Sequence, residues 1–119
     1  MNKLTKEEKM VLYKCDNNIY EVVENYDYLC KHFDNPRDEF FRLAKILKVD
    51  KVDWVCISSY QTLSENYISE FKDKVDWERI SMFQTLSEDF IREFKDIVDW
   101  VCISSFQDLS DEFRKEFNL

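Results

Sequence analysis

Residues 52–119 read the same pattern three times with a period of 23, and no other feature limits the fold so tightly. The copies are 52–74, 75–97 and 98–119. Each opens on Val-Asp-Trp, continues through an Ile-Ser pair, a Gln and a Leu-Ser pair, and closes near a Glu-Phe pair. A period of this length belongs to a supersecondary unit that cannot bury its apolar face alone and stacks on its neighbours to do so.

Each copy predicts two short helices. Asp53, Asp76 and Asp99 stand as N-caps of the first, their carboxylates placed to accept the unbonded amides of the opening turn. Val52 with Ile57, Val75 with Ile80, and Val98 with Ile103 have the spacing of hydrophobic staples. Ser64, Ser87 and Ser110 cap the second helix, with staples from Leu63 to Ile68 and from Leu86 to Ile91. Acids follow the caps at Glu65, Glu88, Asp89, Asp111 and Glu112, where the helix dipole favours them. Helices this short are unstable alone. They are expected to bury Trp54, Ile57, Tyr60, Ile68 and Phe71, and their counterparts, against adjoining units. The expectation is therefore all-α, a short α-solenoid with an N-terminal helical segment at 1–51. In the third copy Arg114 stands where Ile68 and Ile91 stood, which reads as a C-terminal cap whose outer face meets water.

Composition narrows the alternatives. The chain has no glycine and one proline, Pro36. It thus lacks the residue that tight β-hairpins and phosphate-cradling loops depend on. No apolar run approaches the roughly 20 residues of a membrane span, and the charged start Met1–Glu8 has no signal-peptide pattern, so a cytoplasmic protein is expected. Cys15, Cys30, Cys56 and Cys102 are then expected as thiols. Cys15, Cys30 and His32 do not have the spacing of a zinc site, so no metal and no cofactor is expected.

Upstream of the repeats, a helix is expected near Thr5–Lys14 and a longer one near Asn18–Phe33, with Cys15–Asn18 as the break. Ile19, Val22, Val23, Tyr26, Cys30 and Phe33 form its apolar stripe. Asn35-Pro36 marks a further helix start. The run from Pro36 resembles the second helix of a repeat, so 36–50 reads as a degenerate capping repeat.

The motif Val-Asp-Trp, Ile-Ser, Gln, Leu-Ser-Glu, aromatic-Ile and Glu-Phe resembles a short repeat of uncharacterised proteins of large DNA viruses and bacteriophages. The similarity covers 52–119, and the third copy departs from it at Asp111 and Arg114. It implies a viral or phage origin and a role against a host machine, and it brings no catalytic residues with it.

The net charge of −8 is concentrated in the repeats: 1–50 carry ten acids and nine bases, 51–119 fifteen acids and eight bases. Such a surface repels nucleic-acid phosphates and anionic membranes, so direct binding to either is not expected. A serine nucleophile needs a base, and the one histidine, His32, lies outside the repeats, so no enzyme is expected. Trp54, Trp77 and Trp100 are read as wedges between repeats. Gln61, Gln84 and Gln107 are read as tying down backbone groups of their own turns. The copies differ most in the middle, where Glu78-Arg79 replaces Val-Cys and Met82 replaces Ser. Glu78, Arg79, Met82, Glu88, Asp89 and Arg92 are therefore the candidate partner-binding surface. The leading expectation is a protein–protein interaction module that binds a host protein. The alternatives are an acidic nucleic-acid mimic of the anti-restriction or anti-CRISPR type, and a structural self-associating repeat protein. A homodimer through the N-terminal helices is also open to it.

Overall fold

A computed structural model describes residues 4–119, and these are all-helical. The helices are α1 (Lys6–Lys14), α2 (Ile19–Glu24), α3 (Tyr26–His32), α4 (Pro36–Ile46), α5 (Trp54–Tyr60), α6 (Glu65–Glu70), α7 (Trp77–Phe83), α8 (Glu88–Glu93), α9 (Trp100–Phe106) and α10 (Asp111–Glu116). None is long and apolar enough to cross a membrane. Repeat one thus comprises α5 and α6, repeat two α7 and α8, and repeat three α9 and α10.

The caps fall where the pattern puts them. Asp76 and Asp99 accept the amides of Arg79 and Cys102, and Ser64, Ser87 and Ser110 accept those of Tyr67, Phe90 and Phe113. Thr5 and Glu8 close a capping box on α1, and Asn35 caps α4 ahead of Pro36. The long helix expected over 18–33 is two helices. Asn25 interrupts it, because its side-chain amide donates to the Glu21 carbonyl at 2.8 Å and its own backbone leaves the helical region.

Without glycine, left-handed helix ends use other residues. Asp16, Asn17, Lys48 and Asn118 hold φ between 52° and 60°. After α1, α4 and α10 the amide two residues past the cap reaches back to the third-last helical carbonyl: Asn17 to Leu12, Val49 to Ala44, and Leu119 to Arg114. These are Schellman closures built on Asp, Lys and Asn instead of glycine.

Contacts divide the chain into two units. One holds the residues up to Asp53 together with Gln61–Asp73; the other holds Trp54–Tyr60 with Lys74–Leu119. In the first, Tyr26, Phe40, Tyr67 and Phe71 form a buried cluster, with Tyr26 edge-on to Tyr67 at 5.2 Å and Phe40 edge-on to Phe71 at 5.1 Å. Arg37 lies 5.2 Å over the Phe71 ring and pairs with Asp73 at 2.7 Å. Glu8, 1% exposed, accepts the Thr5 amide and pairs with Arg42 of α4.

In the second unit α5, α7 and α9 lie side by side, α7 in contact with both neighbours. Ile57, Ile80 and Ile103 are fully buried. Trp77 and Trp100 each meet rings of their own repeat. Trp77 stacks on Phe90 and Phe94 of its own second helix, at 6.4 and 5.2 Å, and Trp100 on Phe113 and Phe117 at 6.3 and 4.7 Å. Repeats two and three therefore each carry a ring stack of their own. A half-exposed indole pairs best with the rings one short link away, which are fixed by the Glu-Phe pair of the same motif.

Polar side chains do the joining instead. The Asp76 amide donates to the Ser58 hydroxyl at 3.0 Å, and the Gln84 amide group to the Ser58 carbonyl at 2.9 Å. One repeat on, the Asp99 amide donates to the Ser81 hydroxyl at 3.0 Å and the Gln107 amide group to the Ser81 carbonyl at 2.9 Å. Gln107 also donates to the Gln84 carbonyl at 2.7 Å and accepts from the Leu86 amide at 3.2 Å. Gln84 and Gln107 thus bind the preceding repeat rather than their own turn. Their buried amides complete groups that the neighbouring helix end leaves open. In the last repeat the Ser104 carbonyl, which would take the Gln of a following copy, accepts from Arg114 at 3.4 Å.

Candidate functional site

The α5–α7–α9 layer buries one face and leaves the other bare. Ile57 and Ser58, with their counterparts Ile80, Ser81 and Ile103, point inward. Helical spacing alone does not give the outer face, since Cys102, the equivalent of Cys56 and Arg79, is buried. Tyr60, at the end of α5, is 81% exposed, and Phe83 and Phe106 at the same place in α7 and α9 are 52% and 61% exposed. Val55 and Val101 are also exposed. The expectation that Tyr60 and its counterparts are buried is therefore wrong. A seven-residue helix turns a single narrow stripe inward, and the last residue falls beyond it.

The six candidate residues separate into two groups. Glu88, Asp89 and Arg92, on α8, are occupied inside the molecule. Glu88 accepts the Ser110 amide at 2.6 Å and its hydroxyl at 3.0 Å, tying α8 to the start of α10. Arg92 pairs with Glu116 at 3.1 Å and with Asp89 at 2.9 Å, and lies 5.1 Å over the Phe113 ring. Glu78 on α7 is exposed, and Arg79 and Met82 are half-buried. Among the described residues no hydrogen bond or ion pair engages the Glu78 or Arg79 side chain or joins them to the α8 group. The exposed rings escaped sequence reasoning altogether. Their signal was a once-per-repeat aromatic at the end of a helix too short to have two apolar stripes.

Cys102 in α9 stands where α7 has Arg79 and is buried. Burial pushes its thiol up, and the carboxylates of Asp99 and Glu78 push in the same direction.

Glu88 carries a pH dependence. The Ser110 amide, then the Ser110 hydroxyl and Arg92, hold its carboxyl below the ordinary value of 4.5. The folded state prefers the ionised form, so the stabilisation is present above pH 4.5 and is lost as the pH falls through the lowered folded value. Amide exchange at Phe113 and Arg114 is expected to accelerate below that value in the native protein. In Glu88→Gln the step is expected to be absent; an unchanged step would place the titration elsewhere.

Cys15 and Cys30 have thiols raised chiefly by burial, which keeps them protonated near neutrality. The Ser58 and Ser81 hydroxyls each accept a cap amide, and His32 lies exposed on α3. Among the described residues no group of three His, Cys, Asp or Glu side chains is placed to hold a metal ion. No protein-family model matches the chain, and searches of curated proteins and of solved structures returned no match.

Proposed function

We propose that this chain is a protein-binding module without enzymatic activity, a short α-solenoid whose outer α5–α7–α9 face meets a partner. One observation carries the reading: Tyr60, Phe83 and Phe106 repeat in register on adjoining helices and stand in solvent. Scattered exposed apolar residues mean little, but a contiguous row rimmed by charge is characteristic of an interaction surface, and tyrosine is over-represented where binding energy concentrates. The resemblance to repeats of DNA-virus and phage proteins directs the search for that partner to a host cell.

The test is a nuclease-treated pull-down from host lysate with the native chain and a Tyr60→Ser/Phe83→Ser/Phe106→Ser variant. A partner held in stoichiometric amount by the native chain is expected to fall at least about tenfold in the variant, the loss of one well-packed ring being worth more than about 1.4 kcal/mol. Equal capture by both chains would remove this face from the reading.

The nucleic-acid mimic remains as a second reading because the net charge of 51–119 is −7. Mimicry predicts binding that weakens steeply with salt and is competed by DNA. Recognition through rings predicts binding that survives high salt.

A further inference from the structure

Repeat two holds repeat three through a set of forward-reaching groups. They are the Ser81 hydroxyl and carbonyl, the Gln84 carbonyl, the Leu86 amide, and the Glu88 and Arg92 side chains. Repeat three carries the same set one period on, at Ser104, Gln107, Leu109, Asp111 and Lys115. The first three are identical to their counterparts and the last two keep the charge. Ser81 and Leu86 are buried, whereas Ser104 and Leu109 are half-buried and Asp111 and Lys115 are exposed. Among the described residues no hydrogen bond or ion pair engages the Ser104 hydroxyl, the Gln107 carbonyl, the Leu109 amide or the side chains of Asp111 and Lys115.

One position departs from the pattern. Ile91 of repeat two is fully buried, but its counterpart Arg114 is half-buried and donates to the Ser104 carbonyl at 3.4 Å. That carbonyl is the acceptor a following Gln would use, and a bond of this length is weak. A partner that buried these groups without answering them would lose stability, so the edge selects for matching donors. The two existing joints show what those donors are. Each is a cap amide at 3.0 Å from the Ser hydroxyl and a Gln carboxamide, eight residues later, at 2.9 Å from the Ser carbonyl.

Within this chain such donors are already taken. Asp76, Gln84, Asp99 and Gln107 bond the preceding repeat, and Asp53 and Gln61 are engaged within the molecule as well. A second copy would have to open one of its own joints to supply them. We propose that the forward edge of repeat three docks a repeat of the same kind carried by a different polypeptide. Its Asp amide meets the Ser104 hydroxyl. Its Gln displaces Arg114 and bridges the Ser104 and Gln107 carbonyls and the Leu109 amide. In its second helix a capping Ser meets Asp111 and a Glu meets Lys115, as Ser110 and Glu116 meet Glu88 and Arg92. Repeats of this type touch only their neighbours, so the addition leaves the rest of the molecule as it is. It also leaves the outer rings free, since Phe83 is 52% exposed although a repeat follows it.

The probe is a synthetic peptide of residues 75–97, titrated into the isotope-labelled full chain and followed by amide NMR. The same sequence is also tethered after Leu119 by a Gly-Ser linker of about 15 residues, which holds it at millimolar effective concentration. Shifts at Ser104, Gln107 and Leu109 are expected in both formats. Gln84→Leu in the free peptide and Ser104→Ala in the chain are each expected to weaken binding about tenfold. Arg114→Ile, which frees the carbonyl and restores the apolar residue, is expected to tighten it severalfold. The native chain alone is expected to sediment as a monomer.

No shift in the tethered chain means that the edge does not fit a repeat. Shifts in the tethered chain with none from the free peptide up to about 1 mM mean that it does not recruit one from elsewhere. Either result overturns the inference, as does binding indifferent to Gln84→Leu and Arg114→Ile. A native chain that assembles through Ser104 makes the second copy the occupant and overturns it too. The outer-face reading stands or falls separately, because Tyr60→Ser/Phe83→Ser/Phe106→Ser is expected to bind the peptide as the native chain does.

Discussion

Replacing Gln107 with leucine is expected to cost about 3–5 kcal/mol of folding stability, although the substitution makes a buried site more apolar. Gln107 is 9% exposed, and its side chain serves three backbone groups of the preceding repeat: the Ser81 and Gln84 carbonyls and the Leu86 amide. Leucine fits the volume and serves none of them. Each buried group left open costs about 1–3 kcal/mol, and water reaching one of them lowers the total. Against a typical stability of about 5–15 kcal/mol this is a large fraction. Urea unfolding followed by circular dichroism measures it, and hydrogen exchange should show the third repeat opening ahead of the second. A loss below about 1 kcal/mol would mean that the three groups find other partners, and that the joint between repeats is made by apolar packing.

Arg42→Met is the second large effect, in the other unit. Glu8 is 1% exposed, and Arg42 is the cation it meets. Removing that cation leaves a buried carboxylate that must be protonated or drawn into water, at about 3–5 kcal/mol for a pair of this kind. The double variant Glu8→Met/Arg42→Met removes the charge as well as its partner and is expected to return most of the loss, since a well-packed apolar pair often matches a buried ion pair. Thermal denaturation of the three chains decides it. A double variant no more stable than Arg42→Met would show that Glu8 acts through its capping bond to Thr5 rather than through its charge.

Helix ends were the most legible part of this chain, because caps and staples are short-range and repeat. Asp76, Asp99, Ser64, Ser87 and Ser110 could be placed from spacing alone. The break at Asn25 was not legible. An apolar stripe runs straight through it, and only the competing side-chain bond to Glu21 interrupts the helix. What each repeated side chain touches was also hidden. Gln84 and Gln107 look alike in the sequence whether they bond their own turn or the preceding repeat, since 23 residues of chain separate the alternatives. The six candidate residues were chosen because they vary between copies. Variation alone does not distinguish Glu88 and Arg92, which tie α8 to α10, from Glu78 and Arg79, whose side chains make no hydrogen bond or ion pair among the described residues. The exposed rings were hidden by the assumption that an aromatic in every copy must be core. That assumption fails for a helix of seven residues, whose buried positions are already filled by Ile and Ser in α5 and α7 and by Cys and Ile in α9.

The first repeat is shared between the two contact units: α5 lies with the later helices, α6 with the earlier ones. The punctuation of the sequence and the seams of the molecule are therefore out of step. A cut made before residue 52, where the motif begins, carries Tyr67 and Phe71 away from Tyr26 and Phe40 and leaves those rings bare. A cut after residue 74, where the first motif ends, strips α5 of α7. The chain also passes from one unit to the other inside the written repeat, between Tyr60 and Gln61. Like a brick laid in running bond, this repeat straddles a joint, and it cannot be lifted out without opening the courses on both sides.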